Sequence, residues 1–176
     1  ARVSWNARSI DIRQGLREHS IPRPSDDSYG FEQLALQADG SLLAASCSDG
    51  FIRAWEVPNG KLIAEMELPR EGSSNPLVYL GITPDRRIIT VIPPDKRLMI
   101  SGANLKPEWS TFRFDGLRAA DLSPNSRVLA VLAGKGLQFF DVERGELSLR
   151  LKSAAHFATN ANGRILKWRD DRTVAF

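Results

Sequence analysis

Residues 31–68 read FEQLALQADGSLLAASCSDGFIRAWEVPNGKLIAEMEL, and this stretch decides the fold of the chain. It holds four short runs rich in Leu, Ile and Ala. Three turn sequences separate the runs: Gln37-Ala38-Asp39-Gly40, Ser48-Asp49-Gly50 and Pro58-Asn59-Gly60. Short apolar runs punctuated by Gly, Asn and Asp are typical of antiparallel hairpins. The stretch therefore predicts four antiparallel strands joined in sequence order.

The same layout recurs along the chain. The turn after the first strand recurs at Asp39, Asp85, Asn125 and Asn162, which are 46, 40 and 37 residues apart. The turn between the third and fourth strands recurs at Gln14-Gly15, Asn59-Gly60 and Arg144-Gly145, and Lys106-Pro107 replaces it in the copy between the last two. A period of about 40–45 residues is that of a four-stranded propeller blade. We therefore predict an all-β protein, a β-propeller of four-stranded antiparallel blades.

The turn positions divide the chain into a single propeller segment with five parts. We expect residues 1–30 to hold the outer strands of a preceding blade and a loop, and residues 31–69, 77–114 and 117–152 to form complete blades. Residues 154–176 are predicted to form a partial blade. Its inner strands are expected at 155–158 and 164–167, with the apolar run 173–176 behind them.

Two of the repeats carry a family resemblance. Residues 36–56 and 122–145 resemble repeats of the WD-repeat (tryptophan–aspartate) propeller family: Trp55-Glu56 and Phe140-Asp141 stand where that family has its Trp-Asp pair. The resemblance implies structural roles for Asp49, Trp55, Phe140 and Asp141. In family members a His, a Ser or Thr, the turn Asp and the Trp can form a buried hydrogen-bond tetrad.

This chain departs from the family pattern at two points. Asp49 and Trp55 have the spacing of two tetrad members, but Ala45 stands where the hydroxyl belongs, and no Gly-His pair opens a blade. Rings of the family also close with more blades than the roughly four that 176 residues supply. We therefore expect a piece of a larger propeller. A small self-closed ring and a homodimer that completes a ring are the alternatives.

Composition and charge narrow the functional classes. The chain is 42% hydrophobic and 26% charged, as in globular proteins, and no apolar run approaches the ~18 residues of a membrane span. The single cysteine, Cys47, excludes an internal disulfide and fits a reducing compartment, so we expect a cytoplasmic protein. The net charge is +3, but the basic residues are scattered among acids. Scattered charge argues against a nucleic-acid-associated propeller, which is kept as a second alternative.

No catalytic motif appears in the sequence. His19 and His156 lack Cys or Glu neighbours at metal-ligand spacing, and Gly134-Lys135-Gly136 lacks the Ser or Thr of a phosphate-binding loop. We therefore expect no enzyme activity, no metal and no cofactor. The alternative is a lactonase-like or quinoprotein-like propeller that binds a small ligand in the central channel, where Asp49, Asp95 and Asp115 would point.

The predicted function is that of a protein–protein interaction scaffold within a larger protein or complex. In a propeller, the connections between blades and the turns between second and third strands emerge on one face. Binding residues concentrate on loops held by a rigid scaffold, so we expect a partner protein to bind there. The predicted contact residues are Tyr29, Asp49, Arg70, Asp95, Lys96, Trp109 and Lys135.

Overall fold

The structure of the chain is a computed structural model. It describes residues 2–5, 9–14, 17–22, 30–68, 79–92, 97–113, 117–134, 136–152 and 166–175. Within these ranges every regular element is a β-strand. Over the same ranges, no helix has the length and apolar character needed to cross a membrane.

The strands form five antiparallel sheets, which we number I to V. Sheet I contains β1 (Arg2–Trp5), β2 (Ser9–Gln14) and β3 (Arg17–Pro22). Sheet II contains β4 (Phe31–Leu36), β5 (Leu42–Cys47), β6 (Phe51–Glu56) and β7 (Lys61–Glu67). Sheet III contains β8 (Tyr79–Ile82), β9 (Ile88–Ile92), β10 (Arg97–Ser101) and β11 (Pro107–Arg113). Sheet IV contains β12 (Leu117–Leu122), β13 (Val128–Ala133), β14 (Gly136–Asp141) and β15 (Glu146–Lys152). Sheet V contains β16 (Lys167–Asp170) and β17 (Thr173–Ala175).

The second strand of each four-stranded sheet is buried on both faces. Every residue of β5 (LLAASC) and of β9 (IITVI) is buried. Successive side chains of a strand point to opposite faces. Leu43 of β5 therefore packs with sheet I, whereas Leu42 packs with sheet III. The apolar second strands thus make consecutive sheets stack face to face.

The first strands mark the inner side of this stack. Strand β8 contacts both β4 and β12, and β12 contacts β16. Each sheet therefore runs outward from its first strand. This is the arrangement of blades in a propeller, and it agrees with the predicted fold class.

The turn between first and second strands has one backbone conformation in sheets II, III and IV. Gly40, Arg86 and Ser126 have positive φ angles of 74°, 66° and 59°. Their N–H groups donate to the carbonyls of Gln37, Thr83 and Ser123 at 2.8, 3.0 and 2.7 Å. The period expected from Asp39, Asp85 and Asn125 is therefore present in the backbone.

A turn of the same kind is described after strand β16. Residues around Asn162 lie outside the described residues. In the described turn after β16, Asp170 Oδ1 accepts a hydrogen bond from Arg172 N at 2.8 Å, as Asn125 Oδ1 does from Arg127 N at 3.0 Å. The corresponding described position is thus Asp170, 45 residues after Asn125.

The turn between third and fourth strands is also present in sheet III, although the sequence there predicts no regular turn. Asn104 Oδ1 accepts from Lys106 N at 3.0 Å, as Asn59 Oδ1 accepts from Lys61 N at 3.0 Å. Leu105 (φ 58°) takes the place of Gly60 (φ 63°). Its side chain is buried in the core between sheets II and III, and this burial offsets the unfavourable backbone conformation.

Both ends of the chain differ from the sequence-based assignment. Sheet I has three strands because β1 pairs with β2, an additional strand at the start of the chain. At the other end, Lys167 begins β16, which pairs with β17 rather than ending a strand over 164–167. The reason is packing: Leu166 and Trp168 alternate with polar residues and contact the core of sheet IV. The strand predicted over 155–158 lies outside the described residues.

Candidate functional site

The predicted contact residues lie mostly outside the described part of the chain. Tyr29, Arg70, Asp95, Lys96 and Lys135 belong to this group. A sixth, Trp109, lies in the outer strand β11, where its backbone is opposite Ile100. The seventh, Asp49, is described together with its side-chain contacts.

Asp49 belongs to a buried ion pair that links the β5–β6 turn to the sheet. Its Oδ2 is 2.7 Å from Arg53 Nη2, and its Oδ1 accepts a hydrogen bond from Phe51 N at 3.1 Å. The Arg53 side chain is only 11% exposed, and its Nε is 3.4 Å from Glu65 Oε2. Burial opposes the charge of Arg53, but the hydrogen bonds, with Asp49 first, hold its pKa above the usual value. These contacts favour a structural role for Asp49.

Arg53 neighbours Ala45, which stands where the WD-repeat family has a hydroxyl residue. The two residues lie directly opposite each other on β6 and β5. The small Ala45 side chain allows the guanidinium to stay in the interface between sheets I and II. Burial raises the pKa of the neighbouring Cys47 thiol to about 11, which keeps that thiol protonated at neutral pH.

Trp55 and Phe140 occupy the same position in their sheets. Trp55 lies opposite Leu43 and is 5% exposed, and Phe140 lies opposite Leu129 and is fully buried. The Trp55 ring meets that of Phe31 edge to face, with centroids 6.2 Å apart. Next to Phe140, Asp141 Oδ1 accepts a hydrogen bond from Arg144 N at 2.8 Å. These contacts agree with packing and turn-closing roles.

A polar groove lies at the opposite end of the sheets from Asp49. We call this end the turn face, because it carries the turns between first and second strands and between third and fourth strands. The groove has a volume of about 540 Å³ and lies between sheets III and IV. Such a volume is within the range of about 300–1,000 Å³ that is usual for ligand pockets. It is lined by Thr83, Pro84, Asp85, Arg87, Asn125, Ser126, Arg127 and Glu143.

Buried hydroxyl groups fix the two turns that form the walls of the groove. Thr83 is 1% exposed; its Oγ1 donates to the Asp85 carboxylate and accepts from Arg87 N at 3.0 Å. Ser123 is 2% exposed; its Oγ donates to Asn125 Oδ1 at 2.8 Å and accepts from Val128 N at 3.0 Å. Each turn is therefore closed by its own side chains, which restricts its backbone conformation.

Arg87 joins the two sheets below the groove. Its Nη1 donates to the carbonyl oxygen of Val142 in sheet IV at 3.2 Å. Its Nε lies 2.7 Å from Asp85 Oδ2 as an ion pair. This buried N–H has no acceptor in hydrogen-bonding geometry within the described part of the chain. Arg87 is therefore held between the Asp85 carboxylate and the neighbouring sheet.

The charge state of Asp85 follows from these contacts. Partial burial opposes ionisation, but the hydrogen bond from Thr83 and the positive charge of Arg87 outweigh it. The pKa of Asp85 is therefore below its ordinary value, and the carboxylate stays ionised.

Two of the residues that line the groove have charged side chains outside the ion pairs of the described residues. Arg127 and Glu143 are exposed. Among the ion pairs of the described residues, neither side chain takes part. The groove thus presents one uncommitted cation and one uncommitted anion.

The groove lies on the face opposite to the one that the sequence predicted as the binding surface. A usable signal was present: Thr83-Pro84-Asp85-Arg86-Arg87 and Ser123-Pro124-Asn125-Ser126-Arg127 share a hydroxyl residue, Pro, Asp or Asn, and a final Arg. In the described ranges, no group of three or more His, Cys, Asp or Glu side chains could hold a metal ion.

Comparison with known proteins identifies the fold. No protein-family model matches the chain, and no curated protein matches it. Among solved structures, the crystal structure of BamB from Moraxella catarrhalis, a β-propeller protein, superposes with a TM-score of 0.64. The chain has a β-propeller fold. The likeness covers 91% of this chain and 48% of that one, so the chain spans about half the length of BamB. At 10% sequence identity it establishes the fold alone, and 1101 solved chains match this fold, so it does not select a function.

Proposed function

We propose that this chain is a non-enzymatic interaction module that holds another protein at the turn-face groove. The observation that carries the proposal is the groove itself, which has a volume of about 540 Å³ and lies between two stacked blades. Polar side chains that are positioned in advance lose little conformational entropy on binding, which favours recognition.

The state of the hydroxyl groups supports binding rather than catalysis. Thr83 Oγ1 and Ser123 Oγ both interact with the Asp or Asn side chain and the backbone of their own turns. A nucleophilic hydroxyl needs a neighbouring general base directed at a substrate. In this chain the hydroxyl groups of Thr83 and Ser123 instead form hydrogen bonds that close their own turns.

The larger protein and the complex that we propose are those expected from the sequence. The chain would be one part of a larger cytoplasmic propeller of divergent WD-type blades, and a subunit of a complex. Trp55-Glu56 and Phe140-Asp141 support the WD-type assignment, because both pairs end a third strand and both aromatic rings are buried. Coverage of 48% of the BamB chain supports the larger ring.

A bulky substitution at the rim tests the proposed function. In Glu143→Trp, the large side chain would fill the groove and release a partner protein, whereas Glu146→Trp places the same ring in the same hairpin outside the lining. Both variants, produced in the source cell, would be isolated and compared with the parent by native mass spectrometry. We expect loss of a stoichiometric polypeptide from Glu143→Trp alone. Equal retention by both variants would place the partner elsewhere.

A further inference from the structure

Sheet V covers the inner part of one face of sheet IV. Trp168 of β16 donates from its backbone N–H to Asp121 Oδ2 at 2.9 Å and from its ring Nε1 to the Asp121 carbonyl oxygen at 3.0 Å. The Trp168 ring meets that of Phe139 edge to face, with centroids 5.9 Å apart. Leu166 packs in the same core. Sheet V is therefore held against the first three strands of sheet IV.

The fourth strand of sheet IV, β15, is uncovered on this face. Leu149 and Leu151 lie opposite Phe139 and Leu137 but are 50% and 47% exposed. Sheet V has two described strands, whereas sheets II, III and IV have four each. The outer edge of β17 thus has no partner among the described strands. The exposed leucines lie where the third and fourth strands of a complete blade would pack.

Sheets II and III show what covers such a surface inside the stack. Ala64 and Met66 are the positions of sheet II that correspond to Leu149 and Leu151, since each pair follows one irregularity of register in its sheet. Ala64 and Met66 pack in the core between sheets II and III. The third strand of sheet III and the turn after it contribute to that core Met99, Ala103 and Leu105. The covering element is therefore the outer part of the next blade, with apolar side chains.

Sheet I does not have the chemistry of such a covering element. Its isoleucines pack in the core shared with sheet II, and these are Ile10, Ile12 and Ile21. On its other face, Asp11 Oδ1 accepts a hydrogen bond from Ser20 Oγ at 2.8 Å, and Arg13 Nε lies 3.0 Å from Glu18 Oε1. Charged groups that are buried against leucines lose hydration without compensation. Polarity therefore argues against sheet I as the cover, whether it comes from this chain or from a second copy.

We propose that the face of sheet IV at Leu149 and Leu151 is covered by the outer β-hairpin of a further, non-identical blade. The inference rests on the larger propeller of the proposed function and adds the surface at which that ring continues. The hairpin would pair with the outer edge of β17 by strand addition and place the apolar side chains of one face on the two leucines. Its other face would be free to carry polar residues.

An extended chain tests the proposal. Residues 93–113 hold the connection after β9 and the strands β10 and β11, and a second copy of them would be appended after residue 176. This extension supplies the type of hairpin that covers Ala64 and Met66 in sheet II. It should raise Tm by about 3 °C or more, because the two half-exposed leucines are removed from water.

The matched control appends residues 6–22, the connection after β1 and the strands β2 and β3 of sheet I. Because the free face of this hairpin is charged, it should change Tm by less than about 1 °C. A double variant locates the contact. Leu149→Glu/Leu151→Glu should lower the Tm of the chain extended with 93–113 at least about twice as much as that of the parent, since the two changes are coupled through the hairpin.

Three results would overturn the inference. The first is an unchanged Tm with both extensions. The second is equal stabilisation by residues 6–22, which would assign the face to sheet I of a second copy. The third is a Tm gain that persists in the double variant, which would place the hairpin elsewhere. None of these results bears on the groove between sheets III and IV, because release of a partner by Glu143→Trp is measured separately.

Discussion

At the scale of single residues, Trp55 makes the largest described aromatic contribution to packing between sheets I and II. It is 5% exposed and contacts Phe31 edge to face. We expect Trp55→Ala to lower the free energy of unfolding by about 3–5 kcal/mol, because a buried aromatic side chain leaves a cavity. Urea unfolding followed by circular dichroism measures this loss.

A neighbouring leucine supplies the control for Trp55. Leu62 lies opposite Trp55 on β7 but is 45% exposed. We expect Leu62→Ala to cost only about 1 kcal/mol, since less apolar surface leaves water at that position. Equal losses in the two variants would show that the assigned strand register is wrong.

Asp85 gives a prediction about pH. Its pKa is lower in the folded chain than the ordinary value of 3.8, so its ionised form stabilises the fold. This stabilisation is fully present above the pKa of the unfolded chain and is lost as the pH falls through the lower folded pKa. We expect Asp85→Asn to lose less stability than the parent on acidification below about pH 4.

The measurement for Asp85 is urea unfolding of parent and variant over an acidic pH series. The side chain is 57% exposed, so solvent screening makes the difference small. Asp39 and Asp170 also have lowered pKa values because backbone N–H groups of Ser41 and Arg172 bind them, and they act equally in both proteins. If the parent and Asp85→Asn lost the same free energy of unfolding as the pH falls, the ion pair between Asp85 and Arg87 would be contradicted.

At the scale of elements, the left-handed position of the turn between first and second strands can be tested directly. Gly40 and Arg86 occupy this position with φ of 74° and 66°. We expect Gly40→Ala to lower stability by about 1–2 kcal/mol, and Arg86→Gly to raise it by up to about 1 kcal/mol. Thermal unfolding measures both changes.

A control for these turn variants is Arg144→Gly, in the turn between third and fourth strands. Arg144 is not among the residues with positive φ, so glycine should lower stability there by about 0.5–1 kcal/mol through backbone entropy. If Arg86→Gly and Arg144→Gly change stability in the same direction, the turn equivalence is incorrect.

The sequence predicts a strand or a turn correctly where the residues that determine it are neighbours in the chain. The turns at Asp39, Asp85 and Asn125 and the apolar second strands depend on neighbouring residues, and their spacing indicates a propeller. Leu105 could not be predicted in this way, because burial between two sheets stabilises its left-handed backbone. Residue type alone gives no sign of that contact.

The groove could be predicted only in part. The hydroxyl and Asx side chains that close its walls are visible as a repeated sequence. The cavity itself arises from the stacking of sheets III and IV, a tertiary relation between turns that lie about 40 residues apart. The uncommitted state of Arg127 likewise depends on which charges are near in three dimensions.

At the scale of the whole molecule, sheets I and IV differ in the polarity of their exposed side chains. On sheet I, Asp11 accepts hydrogen bonds from Ser9 and Ser20, and Arg13 pairs with Glu18. On sheet IV, Leu149 and Leu151 are 50% and 47% exposed. The outer strand β15 of sheet IV therefore presents apolar surface to solvent.

Register explains why these leucines are exposed. Leu149 and Leu151 lie opposite Phe139 and Leu137, as Ala64 and Met66 lie opposite Ala54 and Ile52 in sheet II. Ala64 and Met66 pack in the core shared with sheet III. The two described strands of sheet V leave the corresponding outer surface of sheet IV open.

We expect this surface to cause weak self-association. The double variant Leu149→Glu/Leu151→Glu should sediment as a monomer at concentrations where the parent chain associates, because charges replace exposed apolar groups. Leu62→Glu, on the exposed side of sheet II, is the control and should behave as the parent does. Identical sedimentation of parent and double variant would refute the prediction.

Hydrogen–deuterium exchange tests most directly which end of the propeller meets a partner. The chain would be compared free and in complex with the polypeptide that native mass spectrometry identifies. We predict slower exchange of amides in the turns at 83–87 and 123–127 on complex formation. Protection confined to the turn at 48–50, at the opposite end of the sheets, would contradict the account.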